Sequence, residues 1–118
     1  ARFLAVYLRA WSWMNANRPA AIELMKKFYA QGGVSISEAS MNKEFDTRPT
    51  FTLARQLAAM DRAKGSSDMD GWFDQIATFM RGTGALQSVP AAKDYISDDF
   101  MKRVQADARL RDFANHSK

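Results

Sequence analysis

The chain has 118 residues, of which 47% are apolar and 25% are charged, so one domain with a hydrophobic core is expected. It contains no cysteine, which excludes disulfides, thiolate metal sites and cysteine nucleophiles. The net charge of +4 is spread out: residues 1–31 carry five basic and one acidic residue, and residues 32–97 carry seven and eight. No basic stretch is interleaved with aromatic residues, so no nucleic-acid partner is predicted.

The first 14 residues have the pattern of a helix that is apolar around more than half of its circumference. Only Arg2, Arg9, Ser12 and Asn15 mark a polar side. A helix this widely apolar is typical of burial inside a larger protein. We therefore expect the chain to be the C-terminal part of a bigger protein that begins inside or just before this helix. The apolar run is too short and too often interrupted to span a bilayer.

A second helix is expected after a break at Asn15–Asn17, because Asn17 can cap it and Pro19 suits its first turn. Gly32–Gly33 ends this helix, since glycine accepts the left-handed backbone of a helix C-terminus. Six apolar residues share one face of the helix: Ala21, Ile22, Leu24, Met25, Phe28 and Tyr29.

The next two helices are predicted from their caps. The stretch Ser35–Glu38 has capping-box spacing and predicts a short third helix to about Asp46. Thr50 or Thr52 can then cap a fourth helix, whose narrow apolar side is formed by Leu53, Leu57 and Met60.

The fifth helix, over 69–81, has the clearest amphipathic pattern in the chain. Ser67 or Asp68 is its expected cap, and Gly82–Gly84 is expected to end it. Asp70, Asp74 and Arg81 lie opposite an apolar arc of about 120°. That arc is formed by Met69, Trp72, Phe73, Ile76, Phe79 and Met80.

The remainder is predicted to be irregular over 85–96 and then to form one last helix capped by Ser97. Its apolar seam is Phe100, Val104 and Ala108, and residues 113–118 are expected to form a disordered tail. No strand-like alternation is longer than three or four residues. The sequence therefore predicts a single all-α segment, residues 1–118, of about six helices.

The chain contains few residues that are suited to catalysis. His116 is the only histidine and is expected to be a solvated tail residue, so a Ser-His-Asp triad has no base. Asp70 and Asp74 are interpreted as a solvated helix face near Arg81 rather than an acid–base pair. A calcium loop beginning near Asp68 would need a central glycine and a closing glutamate that are missing. No catalytic, cofactor-binding or metal-binding residue is predicted, no cofactor is expected, and the protein is not expected to be an enzyme.

The three tryptophans allow two interpretations. Trp11, Trp13 and Trp72 can stack on a ligand, but their helical spacing among Leu, Met and Phe favours core positions. Trp13 is the most ambiguous, because it lies at the edge of its apolar arc beside the arginines.

Four segments in order resemble the solute-binding proteins of the nitrate/sulfonate/taurine ABC-importer family. Arg2–Trp11 and Asn15–Pro19 resemble the helix pair of that family with its Asn- and Pro-containing turn. Phe79–Leu86 is similar to its helix that ends in a Gly-Leu turn, and Asp94–Met101 resembles its near-terminal acid-Tyr-polar-acid-Phe element. The resemblance covers this whole chain but only about the C-terminal third of a family member.

The resemblance implies a periplasmic or lipid-anchored protein with two α/β lobes of the type II periplasmic-binding fold. It would bind a small, often anionic or aromatic solute and present it to an ABC permease in the membrane. The cleft loops of such proteins come earlier in the chain, so this segment would lack most of the cleft, and no ligand-binding residue is assigned here. Its helices would pack on the outside of one lobe.

A stand-alone helical module that docks a partner helix is the alternative function. If the first and fifth helices cover a sheet that this segment lacks, their apolar faces are exposed in the isolated chain, and we expect the chain either to self-associate or to be poorly stable.

Overall fold

The computed structural model describes residues 1–116, which form seven α-helices and a 3-10 turn and contain no strand. The all-α prediction is therefore confirmed. The helices are α1 (Arg2–Ala16), α2 (Arg18–Gln31), α3 (Glu38–Thr47), α4 (Leu53–Ala59), α5 (Asp68–Gly82), α6 (Asp99–Ala106) and α7 (Ala108–Asn115), with the 3-10 turn at Ala92–Asp94.

The break between α1 and α2 lies at Asn17, as predicted. The Asn17 backbone N–H donates to the Trp13 carbonyl at 2.8 Å, and the Ala21 N–H donates to the Asn17 carbonyl at 2.9 Å. Pro19 lies in the first turn of α2, where a missing N–H costs no helical hydrogen bond. One residue thus ends the first helix and begins the second.

Asn17 is the N-cap residue of α2 without a side-chain capping hydrogen bond, whereas side-chain caps fix the starts of α3, α4 and α5. Thr52 Oγ1 accepts from the Arg55 N–H at 3.3 Å, and Ser67 Oγ accepts from the Asp70 N–H at 3.1 Å, both at predicted caps. The third helix differs, because its cap is Ser37 and not Ser35. Capping by Ser37 places Glu38 in the first turn, where its negative charge suits the helix dipole.

The single last helix of the prediction is in fact two helices, separated at Asp107. The Asp107 carboxylate accepts from the N–H groups of Arg109 at 2.9 Å and Leu110 at 3.2 Å, which begins α7 as a new helix. Ala108, expected in the apolar seam, is exposed, whereas Ala114 is buried. A seam continuing through Ala108 was therefore a wrong prediction, because the break turns α7 onto a new face.

The predicted disordered tail also needs correction. Residues 113–115 belong to α7, because this helix packs along α1 and the Ser12 hydroxyl donates to the Ala114 carbonyl at 3.5 Å. Residues 117 and 118 lie outside the described part of the chain.

The core lies where α1, α4, α6 and α7 meet, and it is built from small and aliphatic side chains. No aromatic side chain among residues 1–116 is buried. Trp11 and Trp13 are half-buried and Trp72 is exposed. The prediction that the tryptophans occupy core positions is therefore wrong, because none of the three is buried. The core cluster is Ala5, Leu8, Leu53, Val104 and Ala114, with Ala1, Leu4, Leu57, Met101 and Leu110 packed around it.

The molecule is flat, with extents of 42 × 42 × 21 Å. Its radius of gyration of 17.4 Å exceeds the value of about 13.5 Å expected for a compact domain of this length. Its accessible surface of 8476 Å² likewise exceeds the roughly 6,500 Å² expected for this mass. The helices thus form an open layer with much apolar surface outside. Within the described residues, no helix has both the length and the hydropathy needed to cross a bilayer.

The cap at Asp107 gives a first testable prediction. Asp107→Ala should lower the free energy of unfolding by about 1 kcal/mol, because two N–H groups at the start of α7 lose their acceptor. Urea unfolding followed by circular dichroism measures the change. Asp112→Ala removes a carboxylate from the same helix without uncapping it, and an equal loss in this control would contradict the capping role.

Candidate functional site

An ion pair between Arg62 and the buried Asp70 connects three segments of the described chain. Arg62 Nε donates to Asp70 Oδ2 at 2.8 Å, and Arg62 Nη2 donates to Asp70 Oδ1 at 2.6 Å. The same Nη2 donates to the Ile96 carbonyl at 3.1 Å, and the Ser67 N–H donates to Asp70 Oδ2 at 3.0 Å. This arrangement joins the loop after α4, the start of α5 and the segment before α6.

The Asp70 carboxylate is much more deeply buried than the Arg62 guanidinium. The Asp70 side chain is 5% exposed and the Arg62 side chain 32%. The hydrogen bonds from Arg62, followed by the backbone hydrogen bond from Ser67, hold the pKa of Asp70 well below its usual range. The hydrogen bond to Asp70 raises the pKa of Arg62 in turn. Both groups therefore stay charged, and the arrangement is a structural clamp rather than a proton-transfer pair.

Asp70 and Asp74 correct the prediction of a solvated helix face. Asp74 is half-buried and its Oδ1 accepts from the Ala92 N–H at 3.3 Å, while Ala77 on the same side is 6% exposed. The prediction failed because Arg62 and the 3-10 turn supply partners that make this polar side the packed side of α5.

The opposite side of α5 is apolar and faces solvent. We call Met69, Trp72, Phe73, Ile76, Phe79 and Met80 the α5 apolar face. Trp72 is 42% exposed and Phe79 is 70% exposed. The Phe73 ring meets Tyr95 edge-on at 6.1 Å between centroids, which extends the face to the 3-10 turn. The exposed face expected for the fifth helix is thus present. The helix packs through its polar side and exposes its apolar side to solvent, which is the reverse of an ordinary amphipathic helix.

The first helix also exposes apolar side chains. Phe3 is 78% exposed and Val6 57%, whereas Ala5 and Leu8 on the adjacent side are buried in the core. On α2, Leu24 and Phe28 are exposed too, although the sequence grouped them with the buried Ala21 and Ile22.

An open aromatic groove of about 390 Å³ runs between α1, the loop after α3, and α5. Tyr7, Trp11, Phe51 and Trp72 line it, and Arg48 lies at its side. The Phe51 and Trp72 rings lie 5.8 Å apart, and Arg48 forms an ion pair with Glu44 at 2.9 Å. Aromatic side chains beside polar groups such as Arg48, Thr50 and Gln56 suit stacking with a planar group that also carries polar atoms.

The remaining predicted residues lie apart from these features. His116 is exposed at the end of α7 and takes part in no cluster with Asp70 or Asp74. Gly84 has φ +78° just beyond α5, which fits the predicted helix stop. Trp13 lines a separate shallow groove with α2. Across residues 1–116, no three acidic or histidine side chains are grouped so that they would hold a metal ion.

Arg62 was the residue that sequence reasoning missed. The Ser67–Asp70 spacing is that of a capping box, and both reciprocal hydrogen bonds of the box are present. An arginine a few residues before such a box is a signal that the acidic member has a second partner. That signal is weak, since loop conformation decides whether the two groups meet.

Comparison with known proteins gave no similar protein. The chain matches no protein-family description, no curated protein and no solved structure.

Proposed function

We propose that this chain is the helical portion of a solute-binding component of an ABC importer. The order of the resembling segments supports this proposal, and the helix boundaries are compatible with it. Arg2–Trp11 lies within α1, Asn15–Pro19 contains the break between α1 and α2, and Phe79–Leu86 contains the end of α5.

The observation that carries the proposal is the uncovered apolar surface of a flat helical layer. Phe3 and Val6 on α1, and Leu24 and Phe28 on α2, expose half or more of their area in a molecule only 21 Å thick. Helices that cover another layer of structure need apolar residues on the side that meets this layer. In a solute-binding protein, that layer would be one of two α/β lobes.

In this proposal, the solute is held by the two-lobed protein and not by the helices alone. The helices brace one lobe, and the protein delivers a small anionic or aromatic solute to a membrane permease from the periplasm. The clamp of Arg62 and Asp70 maintains the fold and has no role in chemistry.

A solute titration tests the proposal. The protein expressed from its complete reading frame should bind alkylsulfonates or aromatic carboxylates, measured by isothermal titration calorimetry. An alkylammonium ion of equal chain length is the matched control, since it has the same apolar part and the opposite charge. Absence of binding to every member of both anionic series would contradict the proposal.

A second candidate function is a helical protein-interaction module, which the inverted orientation of α5 favours. An apolar helix face in water is a docking surface for another amphipathic helix. Binding of an amphipathic helical peptide to the chain, together with no binding of any solute, would select this function.

A further inference from the structure

The α5 apolar face is inferred to have a specific occupant. We propose that it binds the same face of a second copy of this chain, with the two α5 helices antiparallel. The inference goes beyond the proposed solute-binding function, because it concerns recognition between two copies and does not involve a solute.

The rest of the described chain covers this face only at its edges, where Phe51 meets Trp72 and Tyr95 meets Phe73. Two contacts hold α5 by its polar side: Asp70 to Arg62, and Asp74 to the Ala92 N–H. Turning the apolar face inward would break both contacts, including the bidentate ion pair between the Asp70 carboxylate and Arg62. A cover for the exposed part of this face therefore comes from outside this fold.

The spacing of the apolar residues fits a helix–helix seam. The stripe has heptad spacing, because Ile76 lies seven residues after Met69, and Phe79 and Met80 lie three and four residues after Ile76. Trp72 and Phe73 lie between Met69 and Ile76. Such a stripe lets side chains of two helices interdigitate along about three turns.

The exposed area is sufficient for a stable dimer. With about 200 Å² for each large side chain, the exposed fractions on the α5 apolar face and Tyr95 amount to roughly 600 Å² of apolar surface. A standard interface buries about 800 Å² per partner, of which about 450 Å² is apolar. The face of one copy thus supplies the apolar area that a symmetric interface requires.

The helix dipoles favour the antiparallel arrangement, because it places the positive N-terminal end of each α5 beside the negative C-terminal end of the other. Parallel pairing would align the two dipoles. Asp74 and Arg81 lie on the opposite side of α5 and take no part in this seam. A two-fold axis near Ile76 satisfies the antiparallel pattern and makes the interface isologous.

Sedimentation velocity over about a hundred-fold range of concentration tests the association by mass action. We expect a monomer–dimer equilibrium that Phe79→Ser weakens at least about tenfold, through loss of a central aromatic contact. Phe3→Ser is the matched control, because Phe3 is similarly exposed but lies on α1. It should leave the equilibrium unchanged.

Cysteine cross-linking tests the geometry, since the chain has no cysteine of its own. Ile76→Cys should give a disulfide-linked dimer under mild oxidation, because the two copies of this position meet at the axis. Met69→Cys should not, because position 69 lies seven residues, or about 10.5 Å, from the axis. Its two copies are then about 21 Å apart in the antiparallel arrangement, which is too far for a disulfide.

Three outcomes would overturn the inference. These are a monomer at every concentration, a dimer that Phe79→Ser leaves intact, and equally efficient cross-linking through Met69→Cys. Each of them leaves the solute titration unaffected, so failure here is distinguishable from failure of the proposed function.

Discussion

Leu53→Ala is expected to lower the free energy of unfolding by about 3 kcal/mol. Leu53 is 1% exposed and is among the three largest fully buried side chains of the described chain. It lies in the cluster with Ala5, Leu8 and Val104, where the small neighbours cannot move far to fill a cavity. Because small domains are stable by only about 5–15 kcal/mol, this loss is a large share of the total.

Urea unfolding at neutral pH, followed by circular dichroism, measures the effect. Leu24→Ala is the matched control, since it makes the same change in a helix at a position that is 56% exposed. The control should lose at most about 1 kcal/mol. Equal losses in both variants would contradict the position of the core.

Asp70→Asn is expected to lower the urea midpoint markedly at neutral pH and to flatten the acid dependence of stability. The folded state lowers the pKa of Asp70 below its ordinary value of about 4. The carboxylate therefore contributes stability that is present above that value and is lost as the pH falls below it. Asparagine cannot ionise, so the variant should already lack this stability at neutral pH and lose less than the natural protein near pH 3.

The control for this experiment is Asp46→Asn. Arg18 Nη2 also lies 2.6 Å from Asp46 Oδ1, but the Asp46 side chain is 65% exposed. Loss of the Asp46 charge should therefore change the urea midpoint little. A double variant, Arg62→Met with Asp70→Leu, should be more stable than Asp70→Asn, because no charge is left without its partner. If Asp46→Asn and Asp70→Asn behaved alike, burial of the clamp would have no energetic consequence.

Helix positions were predictable because their signals are local. Asn17 with Pro19, Thr52, and Ser67 each fix a helix start through a hydrogen bond or a backbone restriction within four residues. The same logic placed the cap of α3 two residues too early, since Ser35 and Ser37 both offer an acceptor. The break at Asp107 was missed because an acid inside a helical pattern is not by itself a cap.

The direction in which each helix faces was much less predictable. The apolar arc of α5 is plain in the sequence, yet the arc faces water because Arg62 binds the other side through Asp70. Amphipathic pattern alone assumes that the apolar side is the packed side. The bonds that decide otherwise join residues in different elements, and residue spacing does not reveal them.

The pairing of α1 with α7 brings the two ends of the described chain together, as the contact between Ser12 and Ala114, 102 residues apart, illustrates. During synthesis on the ribosome, the hydrophobic cluster of this layer therefore stays open until its last helix has emerged. A large loop must close before that cluster forms, which slows folding. A chaperone that shields α1 during this interval would be expected to raise the yield of folded protein.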